Sequence, residues 1–282
     1  SGDPIGKTNA PRCYNKLFEL LNMNAIMLPC EIKKGELPQL LEACKLMGIH
    51  YLCPTMPHKG DFVDLLDDVD ETSRLFHSVN AIRIDENGSH GAGMDGKGAV
   101  RALLDGGAKL SGTNALLYGA GGIAGVVAYE LSCQNVKKIY IANRTPEKAE
   151  AIAKVLREHT AAQAEVIGTD AASLDRAAED CELFANLTPL GMKGFPYQHD
   201  YLGFIDRLPG TATVFDCIIN PPESETIAAA KKNGLNTVPG MYMLVAQMDV
   251  IFDFLFQKKI TQADKEACIE ELCSYLGVDK PS

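Results

Sequence analysis

The chain has 282 residues, 46% of them hydrophobic and 23% charged, a balance typical of globular proteins and sufficient for one large domain or two ordinary ones. Its formal net charge of -10 disfavours nucleic acids and anionic membranes as partners, because an acidic surface repels both. No apolar run approaches the roughly 18 residues that a membrane-spanning helix requires.

The nine cysteines are odd in number and none forms a CxxC pair, so we expect buried, reduced thiols and no metal site. No signal peptide is visible, and we expect a cytoplasmic protein. Because Ser1 opens directly into loop-like residues, we also expect a short strand ahead of it.

In chain order, the first third alternates apolar runs with amphipathic stretches, which predicts mixed α/β structure. The turn sequence at 85–88, between two apolar runs, predicts a hairpin. The predicted elements are helices over 11–23, 37–46 and 96–104 and strands over 25–32, 50–53, 79–84 and 89–92.

The middle of the chain alternates strands and helices through short loops, the pattern of a parallel sheet with helices on both faces. The tail is helical, and we expect it to pack on the first part of the chain. The predicted strands here are 114–118, 138–142, 164–167, 183–186 and 213–216, and the helices are 122–133, 146–159, 241–256 and 261–276.

This pattern predicts two domains, the first formed by 1–100 with 241–282 and the second by the inserted segment 101–240. The strongest local signal in the second is the turn Gly119-Ala120-Gly121-Gly122-Ile123-Ala124, which follows a strand and opens a helix. Gly119 permits a tight turn, Gly121 permits close approach of a pyrophosphate to the backbone, and Ala124 permits close helix–sheet packing. The turn predicts a Rossmann-type nucleotide site; the alternative is an ordinary glycine-rich turn.

The next strand ends in Asn143, Arg144 and Thr145, where an NAD-binding fold usually has an acidic residue for the ribose 2′-hydroxyl. A guanidinium instead suits the charge of a 2′-phosphate, so we expect NADP as the cofactor. The alternative is that Arg144 is a solvated loop cation.

Further motifs resemble, in the same order and over nearly the whole chain, those of the shikimate dehydrogenase family. Asp216-Cys217-Ile218-Ile219-Asn220-Pro221 is similar to its "DxxYNP". The other motifs, besides the glycine turn and the segment after it, are Gly2-Asp3-Pro4-Ile5, Pro11 to Asn15, Thr55-Met56-Pro57-His58-Lys59, Ser78-Val79-Asn80-Ala81, Gly93-Met94-Asp95-Gly96, Ala185 to Met192 and Met243-Leu244-Val245-Ala246-Gln247.

The resemblance implies that the first and last segments form the substrate domain, the middle forms the NADP domain, and catalysis occurs in the cleft between them. It also implies that Lys59 contacts the reacting hydroxyl and that Asp95 orients it and shares the proton. The implied substrate ligands include Thr55, Asn80 and Gln247.

The remaining residues implied by the resemblance would line the cofactor groove. For Asn186 and Thr188 the alternative is capping of their own loop. The implied cofactor residues of this group are Asn186, Thr188, Met192 and Gly240.

The departures from the family concern the substrate. Its carboxylate-binding "SxS" is Thr8-Asn9-Ala10 here, its asparagine before the threonine motif is Cys53, and its tyrosine near the carboxylate is Ile219. Loss of donors to one group should alter specificity strongly. We therefore expect either that Lys7 anchors the carboxylate together with Thr8, or that the substrate differs at that end.

The resemblance implies a monomeric or homodimeric NADP-dependent dehydrogenase that acts on shikimate, quinate or a related hydroxylated ring acid. The alternatives are a methylenetetrahydrofolate dehydrogenase-like enzyme and an NADPH-binding protein without turnover. The presence of Lys59, Asp95, Asn80 and Gln247 argues against the last of these.

Overall fold

A computed structural model describes residues 1–6 and 8–281. The chain forms two compact units, Ser1–Asp95 with Gln247–Tyr275, and Gly96–Ala246 with the residues from Leu276 onward. The predicted division assigned 96–100 and the whole tail from 241 to the first unit, whereas 96–100, 241–246 and the residues after Tyr275 group with the second.

The first unit contains a four-stranded sheet of order β1-β3-β4-β2. The predicted hairpin is β3–β4, antiparallel in the register Ala81↔Ala92 to Asp85↔Gly88. The elements up to this point are α1 (Ala10–Leu20), α2 (Leu37–Met47), β1 (Tyr51–Leu52), β2 (Asp68–Val69), α3 (Glu71–Phe76), β3 (Ala81–Asp85) and β4 (Gly88–Ala92).

The predicted strand over 25–32 is wrong. Among the described residues, its place in a sheet is limited to one parallel bridge between Gly2 and Glu31. Its apolar side chains Ile26 and Leu28 are 71% and 65% exposed. The apolar run suits a strand, but a strand is stabilised by a neighbour that pairs along its length, and an apolar run alone does not supply one.

The second unit contains a six-stranded parallel sheet of order β10-β9-β8-β5-β6-β7, which confirms the predicted fold class. Its residues begin within α4, and α9 leads back to the first unit. The elements from here on are α4 (Asp95–Asp105), β5 (Asn114–Tyr118), α5 (Ala124–Cys133), β6 (Lys138–Ala142), α6 (Pro146–His159), β7 (Gln163–Ile167), α7 (Ala171–Glu179), β8 (Leu183–Asn186), β9 (Thr213–Asp216), α8 (Glu225–Lys232), β10 (Asn236–Pro239), α9 (Gly240–Phe256) and α10 (Gln262–Leu276), with a short 3-10 helix at Gly203–Arg207.

Hydrophobic clusters in each unit explain why these elements form. In the first unit, α2 presents Leu37, Leu41 and Cys44 on one helical face to β3 residues including Ile82. In the second, β5 is apolar on both faces because helices cover both sides of a parallel sheet. The tail helix α9 packs Phe252 against the ring of Tyr14 on α1, with ring centroids 5.6 Å apart.

The strand order places β5 between β6 and β8, where the direction of the chain's progress across the sheet reverses. In such sheets, ligands bind beyond the carboxyl ends of the strands at this switch point. The loops after β5, β6, β8 and β9 all leave the sheet at this edge, because the strands are parallel.

Cys30 and Cys133 are exposed, so the expectation that all cysteines are buried is wrong for these two. Within the part of the chain that the structure describes, none of the helices is long and apolar enough to cross a membrane.

Candidate active site

In the first unit, the structure brings Lys59 and Asp95 together. Lys59 lies in the turn-rich segment between β1 and β2, and its carbonyl accepts a hydrogen bond from Val79 N at 2.9 Å, which ties it to the residues just ahead of β3. Asp95 is the first residue of α4, shortly after β4. The Lys59 Nζ and Asp95 Oδ2 atoms are 2.5 Å apart, and the two side chains are 20% and 11% exposed.

A third member of this group comes from α9. Gln247 Nε2 donates to Asp95 Oδ1 at 2.6 Å, across a sequence separation of 152 residues. Each carboxylate oxygen of Asp95 therefore has its own donor, Lys59 on one side and Gln247 on the other. The resemblance implied that Gln247 binds substrate; the contact with Asp95 could not be seen in the sequence, because it depends on how α9 packs.

Asn80 lies just before β3, at the end of the β3–β4 hairpin from which the chain continues to Asp95. Its backbone N donates to Ala92 O at 3.1 Å, and its side-chain Oδ1 accepts from Met94 N at 2.7 Å. These bonds fix the orientation of the buried amide, with its Nδ2 donors directed away from Met94. Thr55 is half-buried, and its backbone N donates to Ser1 O at 2.8 Å.

The residues expected to anchor a carboxylate are only partly described. Lys7 lies outside the described residues. Thr8 is half-buried, and its backbone N donates to Ile5 O at 3.1 Å. Cys53, which replaces the family's asparagine, donates its thiol hydrogen to the Tyr14 hydroxyl at 3.7 Å.

Tyr14 was not singled out from the sequence, although it lies within the motif from Pro11 to Asn15. Its side chain is buried, and burial, followed by the neighbouring Cys53, raises its pKa well above the usual range for tyrosine. The hydroxyl is therefore a neutral partner for the Cys53 thiol. The Cys53 pKa is also raised by burial, so neither group supplies a charge to a bound anion.

In the second unit, the glycine turn has the conformation that the sequence predicts. Gly119 has a φ of +115°, and a Cβ there would lie 2.6 Å from Thr188 Cγ2, so this position requires glycine. Gly121 and Gly122 differ, because a Cβ at either would meet nothing within 4 Å. Helix α5 begins at Ala124, which is buried against the sheet.

The open space at Gly121 and Gly122 tests whether the turn suits a dinucleotide. The fold itself would tolerate a methyl group at either position, whereas a phosphate that approaches the backbone would not. The amide groups at the start of α5, a helix of 10 residues, also favour an anion. The residues present therefore fit a bound pyrophosphate.

Asn143 joins this turn to the segment after β6. Its Oδ1 accepts from Ala120 N at 3.1 Å, and its Nδ2 donates to Thr145 O at 2.8 Å. Asn143 is therefore placed to hold the two loops together. Arg144 and Thr145 are exposed at the same edge of the sheet, immediately before Pro146 begins α6.

Asn186 is placed differently from the expectation that it lines the groove. It is fully buried, its Nδ2 donates to Asp216 Oδ1 at 3.0 Å, and its Oδ1 accepts from Thr188 Oγ1 at 2.7 Å and from Thr188 N at 3.1 Å. These contacts match the capping alternative, because both ends of the amide are engaged within the protein. Thr188 is half-buried, and its methyl group faces Gly119.

Met192 and Gly240 complete the predicted set. Met192 is 39% exposed, and its backbone N donates to Pro189 O at 3.0 Å. A Cβ at Gly240 would lie 2.4 Å from the backbone C and O of Cys217, so close packing of the protein's own backbone accounts for this glycine.

The comparisons with known proteins follow this division of the chain. One family model, described as the shikimate dehydrogenase substrate binding domain, matches residues 1–82, and another, described as shikimate / quinate 5-dehydrogenase, matches residues 102–175. The shikimate dehydrogenase (NADP(+)) of Alkaliphilus oremlandii (strain OhILAs) is 32% identical over 254 residues, which cover 89% of this chain and 88% of that protein.

Two solved structures extend the comparison to the fold. The ligand-free 5-ketofructose reductase of Gluconobacter sp. strain CHM43 is 25% identical with a TM-score of 0.87, and covers 96% of each chain. A shikimate dehydrogenase crystallised in complex with NADP+ is 29% identical with a TM-score of 0.83, and the match covers 96% of this chain and 93% of that one. Similarity therefore extends over both units.

Proposed function

Because the chain belongs to the shikimate dehydrogenase family, we propose that it is an NADP-dependent dehydrogenase that interconverts a hydroxylated ring acid of the shikimate or quinate class with its ketone. The observation that carries this proposal is the contact of Lys59 and Gln247 with the two oxygens of Asp95. Such a group can hold and transfer one proton at a substrate oxygen.

NADP, when bound, would accept or supply the hydride, and the chain's own residues would donate or accept the proton. In the reduction, the Lys59 ammonium donates a proton to the oxygen that becomes the hydroxyl, and the Asp95 carboxylate stabilises the lysine's charge before the transfer. In the oxidation, the Lys59–Asp95 pair takes that proton back. Gln247 keeps Asp95 oriented, and Asn80 holds a second oxygen of the substrate through its Nδ2.

The second unit supports the cofactor part of the proposal. The open backbone at Gly121 and Gly122 and the start of α5 would receive the pyrophosphate. The exposed guanidinium of Arg144 would pair with the 2′-phosphate of NADP. No acidic residue that would repel this phosphate stands between Ala142 and Pro146.

A second candidate function is the reduction of a polyhydroxy ketone that has no carboxylate. The observation that favours it is the set of departures at the expected carboxylate site, where Ala10 and Ile219 have no donor side chain and Cys53 is bonded to Tyr14. A structure of similar fold is a 5-ketofructose reductase. The same Lys59–Asp95 chemistry would serve either substrate, because both reactions reduce a ketone to a secondary alcohol.

The test measures initial rates with NADP and NAD for shikimate and quinate, and with NADPH for 5-ketofructose. Lys59→Ala serves as the blank, and we expect it to lower kcat by about 10²- to 10⁴-fold, the usual contribution of a general acid or base. Lys45→Ala is the matched control, because Lys45 is also paired with a carboxylate, that of Glu42 at 3.2 Å, but on the exposed surface.

The expected result is NADP-linked turnover of shikimate or quinate that Lys59→Ala lowers by about 10²-fold or more and that Lys45→Ala preserves. Turnover of 5-ketofructose alone would replace the first candidate with the second. NADPH binding without turnover of any of the three substrates would contradict both, and activity with methylenetetrahydrofolate would assign the chain to the other enzyme class.

A further inference from the structure

A buried carboxylate lies behind the cofactor edge of the second unit. Asp216 is the last residue of β9 and is fully buried, directly beside Asn186 at the end of β8 in the sheet register. Its Oδ1 accepts from Asn186 Nδ2 at 3.0 Å and from Ile218 N at 3.0 Å, and its Oδ2 accepts from Ser224 Oγ at 2.6 Å. Burial of a charged carboxylate costs free energy, and these three hydrogen bonds offset part of that cost.

The carboxylate determines which way the Asn186 amide points. Burial raises the pKa of Asp216 to about 6, while the hydrogen bonds from Ser224, Ile218 and Asn186 oppose the rise, so the group is mainly ionised at neutral pH. An ionised carboxylate only accepts hydrogen bonds. Asn186 must therefore turn Nδ2 towards Asp216 and Oδ1 towards the loop after β8.

That orientation fixes Thr188. The Asn186 Oδ1 atom accepts both the backbone N and the Oγ1 hydroxyl of Thr188, which leaves the threonine only one rotamer for its methyl group. The methyl Cγ2 atom then lies 2.6 Å from the place of a Cβ at Gly119, the first glycine of the nucleotide turn. Asp216, Asn186 and Thr188 thus form a continuous series of contacts that ends on the turn.

We propose that Asp216 is a positioning residue for cofactor binding, which acts through Asn186 and Thr188 to hold the glycine turn in the conformation that receives the dinucleotide phosphates. The proposal rests on the proposed function, because it assumes NADPH as the ligand. It assigns a role to a residue that contacts neither cofactor nor substrate.

The experiment measures NADPH binding by the fluorescence of the reduced nicotinamide, which is excited at wavelengths where the protein does not absorb. The variants are Asp216→Ala, Asp216→Asn and the control Ser224→Ala. Asp216→Asn keeps an oxygen for Asn186 and Ile218. Ser224→Ala removes the hydrogen bond to Asp216 Oδ2 and the side-chain cap of α8, but leaves Asn186 and its bond to Oδ1 in place.

We expect Asp216→Ala to raise the Kd for NADPH by at least about tenfold, because the Asn186 amide loses the group that orients it. Asp216→Asn should remain within about threefold of the unmodified chain, and Ser224→Ala should lower the melting temperature without a change in Kd. If Asp216→Ala does not fold, Asn186→Ala should give the same rise in Kd, since it interrupts the series one residue later.

Four results would overturn the inference. An unchanged Kd in Asp216→Ala, or in Asn186→Ala where that variant replaces it, would mean that the turn does not depend on these contacts. A Kd in Ser224→Ala that rises as much as in Asp216→Ala would mean that the effect is general destabilisation. A rise in Asp216→Asn equal to that in Asp216→Ala would mean that charge, not hydrogen bonding, is required. Failure of the unmodified chain to bind NADPH would overturn the proposed cofactor as well.

Discussion

At the residue scale, the carboxylate of Asp95 is the centre of the proposed proton-transfer group. Two donors from distant parts of the chain, Lys59 Nζ and Gln247 Nε2, occupy its two oxygens at 2.5 and 2.6 Å. Hydrogen bonds to charged groups are stronger and shorter than neutral ones. We therefore expect Gln247 to contribute to the proposed catalysis through the orientation of Asp95 as well as through any contact with the substrate.

We predict that Gln247→Ala lowers kcat/KM by about 10- to 100-fold, since it removes a hydrogen bond to a largely buried carboxylate. Steady-state rates with the substrate identified above provide the measurement. Gln262→Ala is the matched control, because Gln262 also hydrogen-bonds a carboxylate, that of Glu266 at 3.0 Å, but at an exposed position on α10. Full activity in Gln247→Ala would show that Lys59 alone keeps Asp95 in place.

At the element scale, the sequence predicted the inner strands of the second unit residue for residue. The predictions for β5, β6, β8 and β9 agree with the structure because each is a short apolar run, buried on both faces and bounded by turn residues. The helices α3, α7 and α8 were missed because they are short. Each nevertheless begins with a side-chain cap visible in the sequence, at Asp70, Asp170 and Ser224.

The glycine turn provides a prediction about one element. Gly119→Ala should lower both the melting temperature and NADPH affinity, because the residue has a φ of +115° and its Cβ would overlap Thr188. Gly121→Ala should leave the melting temperature nearly unchanged and still weaken NADPH binding by about tenfold or more, since a Cβ there would enter only open space, where we propose that the phosphate binds.

Thermal unfolding and NADPH titration of both variants separate the two effects. Lys109→Ala, a substitution at an exposed position in the loop between α4 and β5, should change neither quantity. Unchanged NADPH affinity in Gly121→Ala would indicate that the pyrophosphate binds elsewhere than at this turn.

At the scale of the whole molecule, the proposed substrate groups and the proposed cofactor groups belong to different units. Lys59, Asn80, Asp95 and Gln247 lie in the first unit, and the glycine turn and Arg144 lie in the second. A ligand stabilises the region that it contacts against local unfolding. Each ligand should therefore protect its own unit first.

We predict that NADPH alone slows amide hydrogen exchange in the peptides that contain 119–124 and 143–145. Shikimate alone, or the substrate found in its place, should slow exchange in peptides around 55–59 and 80–95. Mass-spectrometric hydrogen exchange with each ligand separately gives the comparison. Protection by NADPH confined to the first unit would contradict the assignment of the cofactor to 101–240.

The sequence by itself determined those features that depend on residues close together in the chain. Periodic apolar runs predicted the elements of the parallel sheet, glycine spacing predicted the turn after β5, and the absence of an acid among Asn143, Arg144 and Thr145 predicted NADP. The same local reasoning failed at 25–32, because an extended apolar run does not form a strand unless another strand pairs with it.

Only the tertiary structure decided which side chains meet. The fold brings Gln247 of α9 within hydrogen-bond distance of Asp95 at the start of α4, and Asn186 turns towards Asp216 because β8 and β9 are neighbours in register. Both contacts are hydrogen bonds between residues far apart in the chain, whose geometry depends on the packing of whole elements. No periodicity or motif spacing encodes such a geometry, so these contacts follow from the fold and not from the local sequence.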